Sequence, residues 1–87
     1  MLIQFYGPLR ELAEKETDIE VNGPVQLIEI IRTLGIKYPK LEPYFDEEKG
    51  SGTLSSVIFL RQGKPLKHNE MLDEDDEIKV LAPISGG

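Results

Sequence analysis

The apolar positions along the chain switch between two periods. From Met1 to Tyr6 they alternate, with Ile3 and Phe5 on one side and Leu2, Gln4 and Tyr6 on the other, which predicts a strand ended by Gly7-Pro8. Leu9, Leu12 and Ala13 then fall at i, i+3 and i+4, so Leu9 to Glu14 predicts a short amphipathic helix with Pro8 in its first turn. Thr17 to Asn22 alternates again and predicts a half-buried second strand. Leu27, Ile30, Ile31 and Leu34 recur at helical spacing and predict the main core helix, with Pro24 at its N1 position and Gly35 as its stop. Tyr38 to Phe45, broken by Pro39 and Pro43, reads as a helical turn and connector, and Asp46 to Gly52 as a polar, glycine-bearing loop. Ser56 to Leu60 is a strand apolar on both faces, followed by a turn through Gln62 to Pro65, with Leu66 and Leu72 packed beneath. Glu77 to Leu81 predicts the last strand, with Ile78 and Val80 inward and Lys79 and Leu81 outward.

The order strand, strand, helix, strand, strand is most simply buried as an α+β domain, a mixed sheet packed on one main helix. The segment between the first and last strands is long enough for a crossover, so these two are expected to pair in parallel. The 87 residues are expected to form a single domain over residues 1–87, with 82–87 as an extended tail. An apolar fraction of 39% with 30% charged residues is that of a globular chain. No apolar run approaches the roughly 20 residues needed to span a bilayer, and the first residues lack the basic, then apolar, pattern of a signal peptide. A cytoplasmic location is the expectation.

Charge and residue inventory narrow the chemistry. With no cysteine there is no disulfide, thiolate metal site or thiol nucleophile. A formal charge of −6 makes nucleic acid and anionic membranes unsuited as partners and a basic protein surface the expected one. The single histidine, His68, lies in a polar run and reads as a solvated loop residue; no serine stands in a Gly-x-Ser-x-Gly setting, and Gly50-Ser51-Gly52 is not a phosphate loop. Asp73 to Glu77 lacks the spacing of a calcium loop and reads as a solvated turn, so no metal site is expected. Catalysis by this chain alone is therefore not expected. What remains is Gly86-Gly87, two residues without side chains that fit a channel too narrow for others, preceded by Ala82-Pro83, whose proline biases the approach to extended geometry. Six extended residues reach at most roughly 20 Å at about 3.3 to 3.6 Å each, enough to cross a partner's active-site cleft. The carboxylate of Gly87 is the expected reacting group, with Gly86 giving it clearance.

Three stretches together resemble the ubiquitin-like sulfur carriers, most closely the small subunit of molybdopterin synthase (molybdopterin converting factor subunit 1). Phe5-Tyr6-Gly7 with Leu9-Arg10-Glu11-Leu12 is similar to that family's first strand and Arg-Glu-Leu helix. Leu72 to Ile78 resembles the Leu-x-Asp-Gly-Asp-Glu-Val turn before its last strand, and Ala82-Pro83-Ile84-Ser85-Gly86-Gly87 resembles its Pro-Pro-Val-Thr-Gly-Gly end. Two positions depart. Asp75 stands at the usual glycine of the turn, where aspartate tolerates left-handed φ better than most residues, and Ala82 replaces the first proline of the tail.

The resemblance implies a β-grasp (ubiquitin-like) fold and a sulfur-carrying cycle. An ATP-dependent activating enzyme adenylates the Gly87 carboxylate, which has no leaving group of its own, and a sulfur donor converts the adenylate to a thiocarboxylate. The tail, with Pro83, Ile84 and Ser85, then enters the large subunit of molybdopterin synthase and gives sulfur to a pterin precursor. Catalytic side chains would belong to the partners, and no cofactor is expected to be held stably. Docking is expected on the outward sheet face through Tyr6, Leu60 and Leu81, placed like the hydrophobic patch of ubiquitin; core burial is the lesser reading for Leu60, whose strand is apolar on both faces. Arg10 either meets an acidic partner surface or solvates a helix face. Alternatives in the same class are a thiamine-pathway or tRNA-thiolation carrier, the former typically shorter than this chain; another is a ubiquitin-like modifier joined through Gly87 to lysines.

Overall fold

The computed structural model describes residues 1–45 and 57–82. Strand β1 (Leu2–Phe5) buries Ile3 and Phe5 completely, as its alternation requires. Gly7, at φ +63°, turns the chain into α1 (Leu9–Leu12), which buries Leu9. The next strand, β2 (Glu16–Asp18), is shorter than the alternation suggested and turns Thr17 inward on the side shared with buried Ile19. A two-residue strand, β3 (Val25–Gln26), leads into α2 (Leu27–Lys37). A 3₁₀ turn (Pro39–Leu41) and α3 (Glu42–Phe45) follow, in line with the expected turn and connector. Then come β4 (Ile58–Arg61), β5 (Lys64–Pro65), β6 (Met71–Leu72) and β7 (Glu77–Leu81).

The strands form a five-stranded sheet in the order β2-β1-β7-β4-β5, with β3 and β6 as a separate antiparallel pair. The first and last strands run parallel in the middle, Ile3 beside Ile78 and Phe5 beside Val80, and the other neighbours are antiparallel. The inner face of this sheet and the Leu27, Ile30, Ile31 and Leu34 stripe of α2 share one core with Leu9, Leu41, Phe59 and Leu72. Each fully buried aliphatic or phenyl side chain contributes on the order of 1.5–3 kcal/mol, so the β1–β7 pair and α2 carry much of the stability.

Several local expectations are corrected. Pro24 is not at N1: α2 begins after Gln26, because the backbone N–H groups of Leu27 and Ile28 donate to the carbonyls of Glu70 and His68 at 3.0 and 2.9 Å. A neighbouring chain segment thus satisfies the donors that a helix start leaves open. Nor does Gly35 stop the helix, which runs on to Lys37; Tyr38, before Pro39, leaves helical geometry at φ −127° and ψ 83°. His68 is half-buried and fixes the helix start through its carbonyl. Asp75 needs no left-handed backbone, since Gln62 is the non-glycine residue at positive φ among the described residues. The turn closes instead through Asp76 N–H to the Asp73 carbonyl at 3.0 Å and the Asp76 carboxylate accepting from Asp73 N–H at 2.8 Å. The expected loop Asp46 to Gly52 lies outside the described residues, as do Ser56 and the tail residues Pro83, Ile84, Ser85, Gly86 and Gly87.

Tyr38 ties the end of α2 to the β1 and α1 region of the chain. Its ring meets Phe5 edge-on at 5.7 Å, and its hydroxyl donates to the Glu14 carboxylate. Burial first, then the bond to Glu14, raise its pKa above the usual value. A phenol raised on folding stabilises the fold fully below the unfolded tyrosine's pKa of about 10, and that contribution is lost as pH rises through the folded-state value. The urea midpoint is therefore expected to fall above about pH 10, and less steeply in Tyr38→Phe. Equal slopes in the two proteins would count against the Tyr38–Glu14 contact.

Candidate docking face

The central strand β7 leads directly towards the Gly-Gly tail, so the face it shares with its neighbours is the surface nearest the tail's root. Register sets which outward residues meet there. Phe5 pairs with Val80, and Tyr6 N–H donates to the Val80 carbonyl at 3.0 Å, which brings Tyr6 alongside Leu81. Leu81 in turn pairs with Ile58, so Tyr6, Leu81 and Ile58 form one row across β1, β7 and β4. The next row is Glu16, Gln4, Lys79, Leu60 and Pro65. Beyond it lie Asp18, Leu2 and Glu77.

Tyr6 and Leu81 are thus neighbours, as expected, while Leu60 stands one row further from the tail, diagonal to Leu81. Leu60 belongs to this outer face and not to the core, which takes the alternate residues Val57 and Phe59 of the same segment. The sequence reading missed Ile58, the most exposed of these apolar residues at 39%. Its signal was present in the alternation: Ile58 and Leu60 share a face, but the pairing of Ile58 with Leu81 needs the register.

Arg10 resolves into a defined position. Its Nε donates to the Phe5 carbonyl at 3.0 Å, and its guanidinium carbon lies 5.4 Å from the centroid of the Tyr6 ring. The side chain remains exposed, held over the edge of the apolar row by contacts worth about 0.5–1 kcal/mol for the cation–π part. Arg61, by contrast, is occupied: its guanidinium bonds the Asp76 carboxylate at 3.1 Å, Glu70 at 3.3 Å and the Met71 carbonyl at 3.1 Å. This ties the acidic turn to the β4–β5 hairpin. Among the described residues no group of three or more histidine, aspartate or glutamate side chains is disposed to hold a metal ion, and no helix is long and apolar enough to cross a membrane.

A mixed sheet with its first and last strands parallel at the centre, packed on one main helix, defines the β-grasp class of ubiquitin-like proteins. The chain belongs to the ThiS family of that class, ubiquitin-like sulfur carriers, whose family profile matches residues 3–87. Among solved structures it resembles SAMP1 from Haloferax volcanii, with a TM-score of 0.82 at 23% identity over 99% of this chain and 97% of that one. The small archaeal modifier protein 1 of Methanosarcina acetivorans is similar at 25% identity and a TM-score of 0.79, covering 99% of this chain and 94% of its own. A protein from Pyrococcus furiosus, described as molybdopterin converting factor, subunit 1, gives 0.77 at 19% identity over 95% of each chain. No curated protein sequence matches the chain.

Proposed function

We propose that the chain is the small, sulfur-carrying subunit of molybdopterin synthase, with Gly87 as its reacting terminus. An activating enzyme adenylates the Gly87 carboxylate with ATP, releasing pyrophosphate. A sulfur donor then displaces AMP to leave the thiocarboxylate, which is consumed inside the large subunit. The observation that carries the reading is the family match running through Gly86 and Gly87. The likeness in fold to a protein described as molybdopterin converting factor, subunit 1, supports the pathway.

The chain's own part is presentation. The outer face bearing Tyr6, Leu81, Ile58 and Leu60 docks a partner, and Ala82 to Ser85 deliver Gly86 and Gly87 into its active site. No side chain of the carrier needs to act as acid, base or nucleophile, and ATP is bound by the activating enzyme. A second reading, a modifier linked through Gly87 to lysines, is favoured by the likeness to SAMP1 from Haloferax volcanii and to small archaeal modifier protein 1 of Methanosarcina acetivorans.

The two readings part in a pull-down from the native cell. The tagged chain is expected to co-purify with a molybdopterin synthase large subunit in a complex that survives without covalent linkage. Ladders of covalent conjugates that vanish when Gly87 is deleted, with no such complex, would move the assignment to the modifier.

A further inference from the structure

We propose that the outer sheet face is matched to a partner surface that is apolar but carries a carboxylate opposite Lys79, the exposed cation set among the apolar residues of this face. The inference rests on the docking-face reading above. It names the chemistry of the adenylating partner's complementary surface.

Lys79 lies in the central strand, exposed, in register with Gln4 on one side and Leu60 on the other. It therefore stands in the row next to Tyr6, Leu81 and Ile58, inside any footprint that covers this apolar set. It has no ion pair among the described residues. The second cation of the face, Arg10, is held on Tyr6 at the end of the apolar row. Arg61 is neutralised by Glu70 and Asp76. Carboxylates stand at the edge of the face, Glu16 beyond Gln4 and Asp18 beside Leu2, and on the side of Lys79 away from the tail, where Asp75, Asp76 and Glu77 line a depression with it. Arg10 thus stands at the Tyr6 end of the apolar row and Lys79 within the face, between Gln4 and Leu60.

The energetic consequence is specific. An ammonium group covered by an apolar partner without a counter-charge loses its hydration with no return, whereas a carboxylate placed over it converts the same burial into a charge-assisted hydrogen bond. A flat apolar partner would select against lysine at the centre of this face. A partner with an acid there gains both register and discrimination.

The test measures ATP–pyrophosphate exchange by the adenylating enzyme of the same cell, with the full chain as the varied substrate and circular dichroism confirming that each variant is folded. Lys79→Glu is expected to raise KM for the chain on the order of 30-fold or more with kcat unchanged, and Lys79→Arg to remain within a few-fold of the native chain. The native KM should also rise with salt, and the Lys79→Glu KM should rise less. If Leu81→Asp raises KM while Lys79→Glu leaves it unchanged or lowers it, the docking face stands and the acidic-partner inference is overturned. If neither variant changes KM, the docking face itself is wrong and the inference falls with it.

Discussion

Deleting Gly87 is expected to abolish adenylation and sulfur loading while leaving the unfolding midpoint unchanged. The variant still ends in a carboxylate, but that carboxylate is set back by one extended residue, roughly 3.3–3.6 Å. A displacement of only about 1 Å can cost on the order of 10²-fold in a reaction that depends on alignment, so loss below detection is the expected outcome. Stability should be untouched, because the described core is built from residues between Met1 and Val80. Gly86→Val should behave similarly through loss of clearance, since the terminal carboxylate then trails a branched side chain into the partner's channel. ATP–pyrophosphate exchange checks both variants. Native rates in either would remove the tail from the mechanism.

The largest effect on stability is expected from Phe5→Ala. Phe5 is fully buried on the inner face of β1, a strand paired on both sides, and its ring meets Tyr38 edge-on at 5.7 Å. Truncation leaves a cavity between the sheet and the segment after α2, at a cost of about 3–5 kcal/mol. Native stability at roughly 0.05–0.15 kcal/mol per residue leaves little margin above that. The thermal unfolding midpoint should fall by roughly 12–40 °C, at about 4–8 °C per kcal/mol for a domain of this size. Leu60→Ala, on the half-exposed outer face, should shift the midpoint far less. Comparable losses in the two variants would mean that the division between core and outer face is drawn wrongly.

Much of this division was legible in the sequence because it follows from periodicity. Ile3 and Phe5, Ile78 and Val80, and the Leu27, Ile30, Ile31 and Leu34 stripe are all buried where alternation or helical spacing puts them. The parallel pairing of the first and last strands followed from the length of the connection. What was not legible depends on residues distant in sequence. Pro24 suggested an earlier helix start, but β3 pairs with β6 instead, and the carbonyls of His68 and Glu70 receive the first helical donors. Gly35 suggested an earlier stop, yet glycine ends a helix only where the backbone turns left-handed, and here Pro39 ends it.

The candidate face shows the same limit. Tyr6 and Leu81 could be assigned outward from their own strands, but the pairing of Ile58 with Leu81 is fixed by register. Arg10 gave no sign of its bond to the Phe5 carbonyl, because that contact depends on how α1 folds back on β1. Lys79 read as an ordinary outward residue of an exposed strand until its neighbours across the sheet were known. The net charge likewise gave no sign that Arg10 and Lys79 share the outer face with Tyr6, Leu81 and Leu60.

The central claim, that this chain carries sulfur on Gly87, is tested most directly by the intact mass of the protein isolated from its native cell under non-reducing, thiol-free conditions. The account predicts a species ending at Gly87 whose mass is raised by the replacement of one oxygen with sulfur, and whose shift disappears on deletion of Gly87. An unshifted mass, both from the cell and after incubation with the activating enzyme, ATP and a sulfur donor, would contradict it.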